Sequence, residues 1–268
     1  MIVVGGEALV DLVPLRALAP AELGPLMPAI GGGPYNVALS AGRLGAPTAF
    51  LSCVSRDRFG DALLSRIADS GVDTTLVQRS EKPTTLAVVD LAEDGSAGYT
   101  FHTDTADRQF ADPGELPRAT TVLSLGTLGM VLEPGASAYE RTLRRASKDG
   151  LLTVLDPNIR PALICDPTGY RARFRSWLPD LGVVKASEED ARWLAGLDDD
   201  APLEPVPRSW LDVGASAVVL TRGADGLTVF TGHGRSVAVP AAASTVADTI
   251  GAGDTVHGAL LAWFDRHA

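Results

Sequence analysis

The chain is poor in the residues that would tie it to a membrane, a nucleic acid, a metal or an oxidising compartment. It has two cysteines in 268 residues, Cys53 and Cys165. Both lie in mainly apolar sequence, so buried free thiols are expected in preference to a disulfide, which fits a reducing compartment. No apolar run approaches the roughly 18 residues that a spanning helix needs. The first residues, Met1–Glu7, read as a strand and lack the basic start of a signal peptide. A cytoplasmic protein with no membrane partner is the expectation. Positive charge is scarce too: 23 Lys and Arg face 33 Asp and Glu, a net charge of −10. Nucleic-acid binders carry a basic face, which excludes that class of partner. The four histidines (His102, His233, His257 and His267) have no metal-ligand spacing, so packed or solvated roles are expected for them. There is no Gly-x4-Gly-Lys, which excludes a P-loop nucleotide site. No internal repeat or low-complexity tract interrupts the chain.

What is there is an ordinary core-forming composition, 46% hydrophobic and 21% charged. Ile2–Val10 reads as a buried first strand, and residues 14–30 as a loop or partly extended excursion. Pro34 suits the first position of a helix over Tyr35–Leu44, with Val37, Ala38, Ala41 and Leu44 on one side. Thr48–Val54 is a strand and Phe59–Ser70 a helix closed by Gly71. Thr84–Leu91 and Tyr99–Thr103 are β-like runs joined by Glu93-Asp94-Gly95-Ser96, a hairpin signal.

Strands then alternate with helices. Thr121–Leu125, Leu152–Asp156 and Val183–Lys185 are strands; Ala136–Lys148, Tyr170–Trp177 and Glu188–Ala195 are helices. Residues 198–207 read as an acidic, Pro-rich surface loop. Ala217–Thr221 and Leu227–Thr231 are strands around the turn Arg222–Gly226. The alternation predicts an α/β fold, a doubly wound and mostly parallel sheet with helices on both faces. Ligands in such sheets gather beyond the carboxyl ends of the strands. The β insert at 84–103 reads either as a small extra sheet covering a site or as an edge hairpin.

The most informative segment is Asp248-Thr249-Ile250-Gly251-Ala252-Gly253-Asp254. Its glycines let the backbone turn tightly, and the apolar run Val256, Ala259, Leu260, Ala262, Trp263 that follows has helical spacing. Gly251, Ala252 and Gly253 therefore sit at a helix N-terminus, where unpaired N–H groups form an anion hole. Asp254 falls in the first turn, at the mouth of that hole. A carboxylate there suits proton removal from a hydroxyl while the hole holds a phosphoryl group. The chemistry indicated is phosphoryl transfer onto an alcohol, with Asp254 as general base.

Two patterns together resemble the ribokinase-like (PfkB) family of carbohydrate kinases. One is Gly31-Gly32-Gly33-Pro34-Tyr35-Asn36-Val37-Ala38, running on through Arg43-Leu44-Gly45 to Gly60-Asp61. The other is Asp248–Asp254. Within the family the chain is most similar to fructokinases, through Leu132-Glu133-Pro134, Asp156-Pro157-Asn158-Ile159-Arg160-Pro161 and Lys185-Ala186-Ser187-Glu188-Glu189. The resemblance covers nearly the whole chain. It implies one kinase domain over residues 1–268, with a small β lid built from about 11–30 and 84–103. It implies transfer of the ATP γ-phosphoryl to a sugar hydroxyl with Mg²⁺, and a homodimer formed through the lid.

The resemblance also assigns residues. Asp11, after the first strand, is implied to bind sugar hydroxyls, with Gly32, Gly33 and Asn36 beside it. Arg160 is implied to contact substrate or phosphate, or to form a structural ion pair. Glu133 matches a position near the active site, or is a surface residue before Pro134. Lys185, Ser187, Thr221, Gly223 and Gly226 are placed on the ATP side with Gly251 and Gly253. Ser187-Glu188-Glu189-Asp190 stands where the family has Asn-x-x-Glu, which would give Asp190 an indirect metal role. The same four residues also make a good helix N-cap with an acidic first turn. Members of the family continue well beyond the 14 residues that follow Asp254 here. That puts a monovalent cation and a full adenine pocket in question, and exposed apolar groups are expected at Leu260, Leu261, Trp263 and Phe264.

The function expected is an ATP-dependent sugar kinase acting on fructose. A 2-keto-3-deoxygluconate kinase is the nearest alternative, because Arg160 could meet a substrate carboxylate. A catalytically weak sugar-binding member is the alternative from another class.

Overall fold

Ile2–Val10 is two strands rather than one. β1 (Ile2–Gly5) ends where Gly6 takes a φ of 147°, and a Cβ at Gly6 would strike the Pro34 ring. The chain turns through Gly6-Glu7-Ala8 and resumes as β2 (Leu9–Pro14) in a different sheet. A hydrophobic run alone cannot reveal such a break, because both halves are buried.

The computed structural model describes residues 1–16, 23–91, 97–198, 200–232, 234–242 and 251–267. After β2 come β3 (Leu26–Gly31), α1 (Gly33–Arg43), β4 (Thr48–Ser55), α2 (Arg58–Asp69), β5 (Val72–Asp73), β6 (Val77–Ser80), β7 (Thr85–Leu91) and β8 (Ala97–His102). Next are β9 (Val122–Gly126), α3 (Gly135–Lys148), β10 (Leu152–Asp156), α4 (Pro167–Trp177), β11 (Val183–Ser187) and α5 (Glu188–Ala195). The chain continues as α6 (Pro205–Val213), β12 (Ala217–Thr221), β13 (Leu227–Thr231), β14 (Ser236–Val239) and α7 (Ala252–His267). Asp248-Thr249-Ile250, His233 and the turn at 93–96 lie outside the described residues.

Among the described residues the main sheet has ten strands, in the order β14-β13-β12-β11-β10-β9-β1-β4-β5, with β6 also paired to β4. It is parallel from β12 to β5, and β13 and β14 add antiparallel strands at one edge. β1 is buried on both faces, as a parallel strand should be. Val3 joins the core shared with α3, α4, α5 and α6, while Ile2 and Val4 join the core shared with α1, α2 and α7. The chain leaves β1 to one side at β4 and returns on the other at β9. That reversal opens a crevice beyond the ends of β1 and β9, the place where such sheets bind ligands.

A second sheet, β3-β2-β7-β8, stands apart. β2 pairs with β3 antiparallel and with β7 parallel, and β7 pairs with β8 antiparallel. The 84–103 insert is thus part of a separate sheet, and the excursion at 14–30 supplies its edge strand. The acidic, Pro-rich stretch begins α6. Pro205 occupies the first turn, where a missing N–H costs nothing. Cys53 is buried as expected, whereas Cys165 is exposed; both are free. Leu261 is fully buried against α1, contrary to the expected exposure, while Trp263 is 57% exposed.

Candidate active site

Gly251, at a φ of 73°, turns the chain into α7. Asp254 follows in the first turn, and its Oδ2 accepts a hydrogen bond from Asn36 Nδ2 at 2.9 Å. α1 and α7 lie close enough for this because Gly258 of α7 packs on Ser40 with no room for a Cβ. Burial pushes the Asp254 carboxyl above its ordinary range; the Asn36 hydrogen bond opposes that, and the nearby Asp156 adds to it.

Two large cavities meet at Asp254. One, of about 320 Å³, lies between the two sheets. The second sheet lines it with Leu9 and Asp11 from β2 and the stacked rings of Tyr99 and Phe101 from β8. The start of α1 supplies Gly32, Gly33 and Asn36. The other cavity, of about 330 Å³, runs past Lys185 and Ser187 of β11 and Thr221 of β12. Asn158, Arg160, Gly251 and Asp254 line both. Apart from Lys185, in the middle of β11, the wall residues drawn from β9 to β12 lie at or just beyond the carboxyl end of their strands.

Burial pushes the Asp11 carboxyl up to about 6, against the pull of Arg160. A Cβ on Gly31 would collide with Asp11 Oδ2, so glycine at that position leaves room for the carboxylate. Two wall residues hold left-handed backbone without being glycine, Thr127 at φ 51° and Asn158 at φ 37°. Such conformations cost energy and gather at ligand sites. Arg160 donates to the Asn158 carbonyl and Oδ1, which ties this loop together.

Under the cavities lies a buried charge cluster. Lys185 Nζ donates to Asp156 Oδ2 at 2.6 Å, and both side chains are nearly inaccessible. His257, one turn after Asp254, places Nδ1 3.4 Å from the same oxygen and Nε2 3.1 Å from Ser124 Oγ. Burial works against ionising Asp156, but Lys185 and His257 outweigh it and hold the carboxyl at about 2. A second buried pair sits at the junction of the two sheets. Glu7 accepts from the N–H groups of Gly33 and Gly129, and Asp107 from Ala8 N and Thr85 Oγ1. Burial pushes Glu7 up to about 8 and Asp107 up to about 7.

The structure therefore brings together most residues expected from the sequence: Asp11, Gly32, Gly33, Asn36, Arg160, Lys185, Ser187, Asp190, Thr221, Gly251, Gly253 and Asp254. It leaves out four. The Glu133 carboxylate accepts from Ser137 and pairs with Arg173 at 2.7 Å, and lines neither cavity. Gly223 and Gly226 belong to the turn between β12 and β13. Ala252 begins α7 but is not in either wall. Asp190 is in the second wall with both oxygens engaged: Oδ1 accepts from Ile159 N, and Oδ2 completes the capping box with Ser187. Sequence reasoning missed Glu7, Thr127, Asp107 and the role of His257. His257 had one signal, its place one helical turn past Asp254.

This crevice defines an α/β enzyme of the ribokinase-like class. Solved sugar kinases share its fold. A fructokinase with bound ATP from Xylella fastidiosa superimposes with a TM-score of 0.88 at 27% identity, over 100% of this chain and 82% of that one. A Vibrio cholerae fructokinase double mutant, bound to fructose, ADP and potassium ion, gives 0.83 at 26% identity, over 98% and 83%. The model of the pfkB family carbohydrate kinases matches residues 1–268. By sequence the chain is 37% identical to a fructokinase of Rhizobium leguminosarum bv. trifolii, over 98% of this chain and 79% of that one. It is 32% identical to fructokinase-1 of Oryza sativa subsp. japonica, over 97% and 82%. The chain belongs to the pfkB family of carbohydrate kinases.

Proposed function

We propose that the protein transfers the γ-phosphoryl group of ATP to a hydroxyl of fructose. One observation carries the reading: a sugar-sized cavity and a second cavity of similar volume share Asp254 as part of a common wall. Fructose occupies the cavity between the sheets, its hydroxyls donating to Asp11 and its ring against Phe101 and Tyr99. ATP occupies the second cavity, with its terminal phosphate toward the N–H groups of Gly251–Gly253. Asp254 accepts the hydroxyl proton as the phosphoryl group arrives. The transition state of such transfers is loose, so position matters more than base strength. The donors at the start of α7 and the Lys185 cation beneath Gly253 face the charge on the moving group.

Among the described residues no group of three or more His, Cys, Asp or Glu could hold a metal. Both Asp190 oxygens are engaged, so among the described residues a directly bound metal does not fit and no step is routed through one. Mg²⁺ enters this reading only with the nucleotide's phosphates. A monovalent cation is supported by the potassium named for the Vibrio cholerae structure; the rate with and without K⁺ tests it.

We also propose that the second sheet is a lid over the sugar. Hydrogen exchange in β7 and β8 should slow on adding fructose, and unchanged exchange would remove the lid. Exposed Leu26 and Met27 on that sheet favour association through it, which sedimentation of the full chain tests.

An assay with ATP, Mg²⁺ and a panel of sugars tests the main reading. Fructose should give the highest kcat/KM. Arg160 in the sugar wall favours a second reading, an acidic sugar such as 2-keto-3-deoxygluconate, which the same panel separates. Sugars that raise the melting temperature without ADP release would leave a binding protein in place of a kinase.

A further inference from the structure

A third, much smaller cavity adjoins Asp254. Its volume, taken over positions open to the centre of a water molecule, is about 10 Å³. One ordered water needs roughly 10–15 Å³ of such volume and two to four polar partners. The polar groups in this wall are Ser124, Thr127, Asp156, Asp254 and His257. Two of their buried atoms, Asp156 Oδ1 and His257 Nδ1, have no hydrogen-bond partner. Both residues are almost wholly inaccessible, at 5% and 1% exposure. Buried polar atoms are rarely left unpaired in a native protein, and an ordered water is a common partner.

We propose that one ordered water occupies this cavity and links His257 and Asp156 to the Asp254 carboxylate, making both of them positioning residues for the base. The inference rests on the reading of Asp254 as that base. The hydrogen bonds close without a charge change. Ser124 Oγ–H donates to His257 Nε2, which leaves the ring proton on Nδ1. Nδ1–H donates to the water, and the water donates to Asp156 Oδ1 and to Asp254. Three bonds is the usual number for a buried water. Lys185 holds the other Asp156 oxygen, so Asp156 stays an acceptor throughout. When Asp254 gains the sugar proton, it donates to the water. The water keeps its bond to Asp156 and, having two lone pairs, still accepts from His257 Nδ1–H. The network therefore serves both states of the base. The charged groups facing the ring are Asp156 from β10, Lys185 behind it from β11, and Asp254 on its own helix. From β1, α1 and β9 the cavity wall presents Val4, Val37 and Ser124.

The test is a high-resolution crystal structure of the full chain, with kinetics of His257→Phe and His257→Asn. Density for one water within hydrogen-bond distance of Asp156 Oδ1 and His257 Nδ1 is expected. His257→Phe should lower kcat about tenfold, the loss of one hydrogen bond to a charged group. Its acid limb should move up by about one pH unit, since ionised Asp254 loses a donor. His257→Asn, whose amide can stand where Nδ1 stood, should recover part of both effects. An empty cavity in the wild-type crystal overturns the proposal. So does a normal rate and acid limb in His257→Phe, or a His257→Asn no better than His257→Phe. If His257→Phe fails to fold, the crystal and His257→Asn decide. Asp254→Asn separates the two readings. If it is inactive while His257→Phe is normal, only the water network falls; if it turns over freely, the base assignment falls first.

Discussion

Asn36 Nδ2 donates to Asp254 Oδ2 at 2.9 Å across 218 residues of sequence. The contact joins the first turns of α1 and α7, the two helices whose starts flank the meeting point of the cavities. It also favours the ionised form of Asp254, against burial. Loss of the amide therefore leaves the carboxyl higher still. In Asn36→Ala the acid limb of kcat should move to higher pH and the plateau rate should fall about tenfold, one hydrogen bond to a charged group. A pH–rate profile checks this; an unmoved acid limb would show that the contact does not set the base.

Glu7 and Asp107 predict a pH dependence of stability. Their folded-state carboxyls are raised, to about 8 and about 7. The native state thus holds protons that the unfolded chain releases in the ordinary carboxylate range. Their contribution is full below that range and is lost as pH rises through about 7 to 8, on the order of a few kcal/mol. Melting temperature should fall from the ordinary carboxylate range up to about pH 8, and less steeply in Glu7→Gln. An equal slope in the variant would remove Glu7 from the account.

Lys185→Met strands the Asp156 carboxylate in the interior. Removing one partner of a buried ion pair costs roughly 3–5 kcal/mol, so the urea midpoint should drop sharply. A loss under about 1 kcal/mol would mean that solvent reaches Asp156, contrary to its burial.

Gly31→Ala drives a methyl into the Asp11 carboxylate. The sugar wall shifts while the ATP side does not, so kcat/KM for fructose should fall tenfold or more with KM for ATP unchanged. Equal effects on both substrates would place Asp11 outside the sugar site.

The alternation of strands and helices was legible because period and glycine punctuation agree from Thr121 onward, where Leu152–Asp156 and Glu188–Ala195 have the bounds the sequence predicts. The turn at Gly6 was not, since Ile2–Val10 is apolar on both sides of it. α6 was hidden because its prolines resemble a loop until its first turn is seen to need no donors. Asp254 and its glycines were readable from local chemistry. The Lys185–Asp156–His257 cluster was not, because two strands and a helix far apart in sequence converge there. Glu133 misled for the opposite reason: its neighbours Leu132 and Pro134 match a site pattern, yet its carboxylate is consumed by Ser137 and Arg173.

The central claim is that Asp254 removes the proton from the sugar hydroxyl. Asp254→Asn keeps the shape and the contact to Asn36 through an amide but cannot take a proton. Measured with saturating ATP, Mg²⁺ and fructose, its kcat should fall by about 10²–10⁴, with the fructose-induced rise in melting temperature retained. Turnover within a few-fold of wild type would contradict the account.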